Sequence, residues 1–93
     1  MRFEWDEEKN QINITKHGFD FADAREIFES EVLTALDDSE DYGEDRWIGV
    51  GTFRGRTMIV AFTEPGDDLV RIISVRKATK NEREAYEKTI LRN

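Results

Sequence analysis

The sequence predicts an α+β domain: a short N-terminal strand and a two-helix hairpin, then a twisted antiparallel sheet and a C-terminal helix. Three features predict this fold. Two segments with the helical period flank Gly18, three strand-like segments follow one another from Arg46 to Lys77, and a capping box starts a last helix at Thr79. At 93 residues the chain suits one hydrophobic core, so we expect a single domain over residues 1–93.

The N-terminal segment predicts a strand followed by a helix. Phe3 and Trp5 alternate with polar residues in a short first strand and should face the core. Asp6 can accept a hydrogen bond from a free amide of the first turn and so begin a helix. That helix is expected to run to about His17 and to end at Gly18, because glycine tolerates the left-handed backbone of a helix end.

The first helix has a thin apolar stripe, with Ile12 and Ile14 as its members. Lys9, Asn13 and Lys16 share another face at spacings of four and three, and we interpret that face as solvated. A second helix should follow almost at once, capped by an aspartate and stapled by an aromatic side chain. Its cap is Asp20, its staple joins Phe19 to Ala24, and its buried face contains Phe21, Ala24, Ile27 and Phe28.

A strand is predicted from residues 31 to 36, followed by a strongly acidic segment. Six of the nine residues from Asp37 to Asp45 are acidic, and so many carboxylates cannot be desolvated together, so this segment should be an exposed loop. A divalent cation could bind there, but the spacing departs from the calcium-loop pattern. We therefore expect no metal site.

Three further strands should form a meander. Arg54-Gly55 is a hairpin signal between strands at 46–53 and 56–63, and a turn at 65–68 leads into a strand at 69–77. Both faces of the 56–63 segment are apolar, so this strand should be central. Gly49 and Gly51 interrupt the first of the three strands, which indicates a bulge or a close approach by another backbone.

The strand from Leu69 to Lys77 should present cations beside the start of the last helix. Strict alternation places Val70, Ile72, Ser74 and Arg76 on one face, and Arg71, Ile73, Val75 and Lys77 on the other. The last helix is expected to run from Lys80 to about Leu91 and to bury Tyr86 and Ile90. The cations at the strand end could bind a polyanion or could simply be solvated.

Charge is distributed unevenly along the chain. The formal net charge is −7, yet residues 1–45 contain 15 acidic and 4 basic residues, whereas residues 46–93 contain 6 acidic and 10 basic ones. Salt screens charges over about 8 Å, so a local basic patch can bind phosphate in an acidic protein. No apolar run has the length of a membrane span or a signal peptide, so we expect a cytoplasmic protein without a membrane partner.

Composition excludes several kinds of site. The chain has no cysteine and a single histidine, His17, which excludes disulfides, thiolate chemistry and sites that need two histidines. RNA cleavage needs less, because the 2′-hydroxyl is the nucleophile and the protein supplies proton transfer and cations. His17 could serve in proton transfer, or it could only balance the dipole at a helix end.

Several motifs occur in a fixed order from Phe3 to Tyr86. They are Phe3-x-Trp5-Asp6-x-x-Lys9, Lys16-His17-Gly18-x-x-Phe21, Asp45-Arg46, Arg71-Ile72-Ile73-Ser74-x-Arg76-Lys77-Ala78 and Glu82-Arg83-x-x-Tyr86. In this pattern the chain resembles the BrnT family of type II toxins. The resemblance implies a RelE-like fold, a ribonuclease that inhibits translation, and neutralisation by a BrnA-type antitoxin that also binds DNA.

The same resemblance implies a set of site residues. Carried over to this sequence, the motifs give Lys16, His17, Arg71 and Arg76 as catalytic residues and Arg46, Ser74 and Lys77 as RNA-binding residues. Arg76 is expected to hold the phosphate, and either Lys16 or His17 to transfer the proton, with no cofactor. The acidic segment is unusual for a protein that binds RNA strongly.

An alternative function is a catalytically weak interaction module that binds an antitoxin and modulates its DNA binding. In either case the toxin contacts DNA only through the antitoxin, and a dimer of heterodimers is one arrangement for the complex. Convergence of the catalytic residues would favour the enzyme, whereas scattered residues would favour the module.

Overall fold

The computed structural model of the protein describes residues 1–92 and confirms the predicted α+β architecture. Its five strands are β1 (Arg2–Trp5), β2 (Leu33–Asp37), β3 (Arg46–Phe53), β4 (Arg56–Gly66) and β5 (Leu69–Lys77). Its helices are α1 (Glu7–His17), α2 (Ala24–Glu29), which a 3-10 turn (Phe21–Asp23) precedes, and α3 (Lys80–Arg92). No helix within the described part of the chain is long and apolar enough to span a membrane.

The sheet has the strand order β1-β5-β4-β3-β2, so β4 is central and the predicted meander is confirmed. Arg54 and Gly55 have φ angles of 50° and 80°, the left-handed values that a tight hairpin turn between twisted strands needs. Two strand bounds differ from the prediction, because β2 begins at Leu33 and β4 continues to Gly66. The sequence did not predict that β1 pairs in parallel with β5, where Phe3 lies opposite Val70.

The core lies between the sheet and the segment formed by the 3-10 turn and α2. Phe21, Ala24 and Ile27 are buried there against Met58 and Val60 of β4 and neighbouring apolar residues of the sheet. The predicted cap is confirmed, since the Asp20 carboxylate accepts from the Ala22 amide at 2.9 Å.

The glycines of β3 allow α2 and the segment after it to pack closely on the sheet. A Cβ atom added at Gly51 would lie 2.8 Å from Ser30 Oγ and 3.1 Å from Ile27 Cγ2. The predicted close approach is therefore made by side chains rather than by another backbone. The strand pairs without a bulge at this point.

Two buried asparagines fix α1 in place, one on the sheet and one on the 3-10 turn, where Asn10 accepts from Phe21 N at 2.8 Å, and this corrects the expected solvated face. Ile12 is 60% exposed, whereas Asn10 and Asn13 are buried. The β1 strand ends opposite Ile72, so the outer edge of β5 beyond this residue has no strand partner. The Asn13 side-chain amide takes the place of the missing strand, because Nδ2 donates to Val75 O at 2.9 Å and Oδ1 accepts from Val75 N at 3.2 Å.

A β-bulge at Ile73 changes which residues of β5 share a face. Ser74 pairs with Ala61 and Ile72 with Phe62, so Ile73 is the extra residue. Strict alternation was therefore wrong for this strand. Val70, Ile72 and Val75 all enter the core, whereas Arg71, Ser74 and Arg76 pair with residues on the opposite side of the sheet. We call that opposite side the open face.

Helix α3 covers one end of the open face. The capping box is confirmed, since Thr79 N donates to Glu82 Oε1 at 2.8 Å and Glu82 N donates to Thr79 Oγ1 at 3.2 Å. Tyr86 is buried as predicted and donates to Glu31 O at 2.6 Å, whereas Ile90 is only half-buried. A cleft of about 290 Å³ remains between α3 and the apolar residues Leu33, Ile48, Val50 and Ile59.

Candidate functional site

A shallow cleft lies where the C-terminal half of α1 meets the edge of β5. Its volume is about 190 Å³, and its walls contain three of the predicted site residues, Lys16, His17 and Ser74. The remaining lining residues are Lys9, Ile12, Asn13 and Ile73. The cleft exists because Asn13 holds α1 against the strand edge and because the bulge brings Ile73 and Ser74 to it.

His17 is half-buried at the end of α1, in front of the left-handed Gly18. Burial lowers the pKa of the imidazole below its usual 6.5, and the nearby cations of Lys16 and Arg76 lower it further. A helix C-terminus alone would favour the protonated ring. Because the lowered pKa lies below 6.5, the neutral imidazole predominates at pH 7 and can accept a proton.

Arg76 lies beyond the cleft on the open face, opposite Ile59 of β4. Its guanidinium forms a two-pronged ion pair with Glu82 of α3, with Nη1–Oε1 at 2.8 Å and Nη2–Oε2 at 2.9 Å. This hydrogen bonding, followed by the Thr79 amide, lowers the Glu82 pKa to about 2. The ion pair fixes the orientation of Arg76. It leaves one edge of the guanidinium, formed by Nε–H and the second Nη2 hydrogen, able to donate to another acceptor.

Arg71 lies apart from the cleft. The β4 partners of Arg71 and Arg76, Thr63 and Ile59, are four residues apart, which corresponds to about 13 Å of extended strand, because the bulge absorbs one residue of β5. Arg71 Nε donates to Glu4 Oε2 of β1 at 2.7 Å, and this hydrogen bond raises the pKa of the guanidinium. Of the four predicted catalytic residues, Lys16 and His17 therefore lie together in the cleft. Arg76 is near enough to lower the His17 pKa, whereas Arg71 lies apart from all three.

The other predicted RNA-binding residues are dispersed. The Arg46 guanidinium carbon lies 3.8 Å from the centroid of the Tyr42 ring, and Arg46 Nε is buried without a hydrogen-bond partner among the described residues. Lys77 pairs with Met58, so it belongs to the sheet side opposite Arg76. Only Ser74 joins the cleft.

The acidic loop, residues 38–45, is exposed except for half-buried Tyr42, as expected for so many carboxylates. Its base is ordered by Asp37, which accepts from Ser39 Oγ at 2.6 Å and from Tyr42 Oη at 3.3 Å. The Ser39 hydrogen bonds lower the Asp37 pKa. Within residues 1–92, no group of three or more histidine or acidic side chains is arranged to hold a metal ion.

The sequence did not predict that Asn13 would hold α1 against β5 or that Glu82 would bind Arg76. Asn13 was assigned to a solvated face, and the spacing of α1 gave no sign that a strand edge would need its amide. Glu82 was recognised only as part of the capping box. A signal was present, because a capping carboxylate turns back toward the strand end that precedes the helix, where Arg76 lies.

Comparison with known proteins finds a protein family and a solved structure to which this chain is similar. The family model described as "Ribonuclease toxin, BrnT, of type II toxin-antitoxin system" matches residues 5–82. The structure is similar to the crystal structure of the Brucella abortus ribonuclease toxin, BrnT, with a TM-score of 0.67 and 36% sequence identity. The match covers 86% of this chain and 99% of that one. No curated protein sequence matches the chain significantly.

Proposed function

This chain belongs to the BrnT family of ribonuclease toxins of type II toxin–antitoxin systems, and on that premise we propose that it is a metal-independent endoribonuclease that inhibits translation. The observation that carries the proposal is the cleft beside β5. There His17, whose lowered pKa favours the neutral ring at pH 7, lies near the cations of Lys16 and Arg76. A proton acceptor and positive charge for the phosphate are the minimum that 2′-hydroxyl attack requires.

In the proposed reaction, the 2′-hydroxyl of the substrate gives its proton to His17 as its oxygen attacks the neighbouring phosphorus. The bond from phosphorus to the 5′-oxygen breaks, and that oxygen receives a proton from Lys16. The products are a 2′,3′-cyclic phosphate and a 5′-hydroxyl. This assignment uses the lowered pKa of His17 to choose it as the acceptor.

Arg76 and Ser74 hold the phosphate in this mechanism. The phosphate accepts from the edge of Arg76 that Glu82 leaves available, so the ion pair need not break. A guanidinium fixed in advance stabilises the developing negative charge without having to reorient. The Ser74 hydroxyl, which lines the cleft, donates to a second phosphate oxygen.

One observation favours the alternative of an interaction module. Arg71 and Arg76 are both paired with carboxylates, Glu4 and Glu82, which reduces the positive charge available to RNA. On that alternative a BrnA-type antitoxin binds the open face, and the toxin influences DNA only through this partner. For the enzyme, the same partner inhibits by covering Arg76, and two heterodimers can then associate.

We expect purified protein to cleave RNA at an undiminished rate in EDTA, since the proposed chemistry uses only side chains and the substrate's own hydroxyl. The measurement is the initial rate of cleavage with chelator and with added Mg²⁺ or Mn²⁺. A His17→Gln preparation, purified in parallel, controls for contaminating nucleases. A requirement for either metal would contradict the mechanism.

A further inference from the structure

Two buried polar atoms on the open face have no hydrogen-bond partner among residues 1–92. One is Oγ1 of Thr63, a residue of β4 that is 2% exposed, and the other is Nε of Arg46 on β3. Buried polar groups in native proteins are nearly always paired, so an unpaired one calls for an explanation. Here two such atoms occur on neighbouring strands.

The pairing of the strands brings these atoms together with Arg71. Thr63 lies directly opposite Arg71 of β5. On its other side, Trp47 lies opposite Phe62, which places Arg46 beside Thr63. Since neighbouring strands are about 4.8 Å apart, the Arg46 and Arg71 backbones are separated by about 10 Å with Thr63 between them. Two arginine residues therefore flank Thr63 in the register of the same side of the sheet.

We propose that Arg46, Thr63 and Arg71 form a second phosphate subsite, which binds a backbone phosphate of the RNA away from the bond that is cleaved. This role rests on the proposed function. The subsite lies about 13 Å from Arg76 along the sheet, so one extended RNA strand can follow β5 and reach both. Arg71 then binds substrate rather than taking part in the chemistry, which accounts for its distance from the cleft.

The donors suit a phosphate better than a carboxylate. Glu4 engages only Nε of Arg71, which leaves the terminal amino groups of that guanidinium to donate. Nε of Arg46 and the Thr63 hydroxyl are the unpaired donors, and because both are buried in the free protein, a neighbouring side chain moves aside when the phosphate binds. The planar guanidinium geometry matches phosphate oxygens, and a phosphodiester has two non-bridging oxygens that share its negative charge, so each arginine can bind one of them.

The acidic loop borders this subsite and regulates access to it. Tyr42 stacks on Arg46, and Glu44 lies close enough to Arg71 to contribute to its raised pKa. A carboxylate at this distance competes with phosphate.

The test measures binding rather than cleavage. The probe is a fluorescent RNA octanucleotide in which every 2′-hydroxyl is methylated, so it cannot be cleaved. Its Kd is measured by anisotropy at several salt concentrations for wild type, Thr63→Val and Arg46→Gln. The matched control is Thr57→Val, because Thr57 is also a buried threonine on the same face of β4 and pairs with Thr52, away from Arg46.

We expect Thr63→Val to weaken binding on the order of tenfold without changing the salt dependence, since it removes a neutral donor to a charged group. Arg46→Gln should weaken binding and reduce the slope of log K against log salt by about 0.7, the value for one phosphate contact with a single strand. Thr57→Val should bind as wild type does. Thr63→Val should keep the melting temperature of wild type or exceed it, because valine removes an unpaired buried hydroxyl.

Equal binding by Thr63→Val and Thr57→Val, with an unchanged salt slope for Arg46→Gln, would overturn the subsite. So would tight binding of an acidic octapeptide with no binding of the RNA probe, because the face would then be a protein interface. The proposed function fails separately: a protein that never cleaves RNA but shows the expected binding pattern retains the subsite and loses the mechanism.

Discussion

Cleavage of RNA should fall by about 10²–10³ when Arg76 is replaced by alanine, because the reaction loses a charge donor that is fixed before the substrate binds. The fold should survive the change. The Arg76 side chain is 36% exposed, and the Thr79–Glu82 capping box that begins α3 keeps its own two hydrogen bonds when the Arg76–Glu82 ion pair is removed. The measurement is the initial cleavage rate, accompanied by the melting temperature of each variant.

Two further variants separate charge from geometry. Arg83→Ala removes an arginine from the exposed side of α3, where it pairs only with Glu87, and should leave the rate unchanged. Arg76→Lys keeps the charge but cannot bind Glu82 and phosphate at once through a planar fork, so it should restore only part of the rate. An unchanged rate in Arg76→Ala with a wild-type melting temperature would contradict the assignment of Arg76.

Replacing His17 by glutamine should lower the rate by about 10²–10⁴, the usual contribution of a general acid or base. The pH dependence carries more information than the rate. Because the His17 pKa is lowered below 6.5, the fraction of neutral acceptor rises as pH rises through that lowered pKa. The wild-type rate should therefore rise on the acid side and then level off.

The glutamine variant should lose this acid limb, because its side chain does not titrate. Thr15→Ala is a suitable control, since Thr15 is exposed on the same helix and outside the cleft. An acid limb of unchanged midpoint in His17→Gln would show that another group titrates, and Lys16 or a substrate group would then replace His17 as the acceptor.

Features set by nearby residues could be predicted from the sequence. The Asp6 carboxylate accepts from Lys9 N, and Gly18 ends α1 with a φ of 80°, as the local pattern indicated. The Arg54-Gly55 turn and the capping box at Thr79 were predicted for the same reason. In each case the interacting groups are within a few residues of one another, so the sequence itself brings them together.

Features set by distant residues could not be predicted. The bulge at Ile73 depends on the pairing of β5 with β4, and it decides that Ser74 and Arg76 share a face with Arg71. The role of Asn13 depends on the short β1 strand, which leaves the edge of β5 unpaired. Neither has a local signal.

The candidate site follows the same division. The motifs that carry the family resemblance supplied Lys16, His17 and Ser74, but their meeting in one cleft depends on how α1 docks. Arg71 is separated from Arg76 by the length of strand between them, and its guanidinium is held by a hydrogen bond to Glu4 of β1. The functions of these residues remain predictions that the variants above test.

The chemical nature of the RNA ends tests the central claim most directly, because it reports which oxygen attacked the phosphorus. RNA cleaved by the wild-type protein in EDTA is examined by mass spectrometry and by its reactivity toward a 5′-kinase. Attack by the 2′-hydroxyl predicts 2′,3′-cyclic phosphate ends and 5′-hydroxyl ends that the kinase labels directly. Products with 3′-hydroxyl and 5′-phosphate ends would show that water or a metal-bound hydroxide attacked, and would contradict the proposed use of the cleft beside β5.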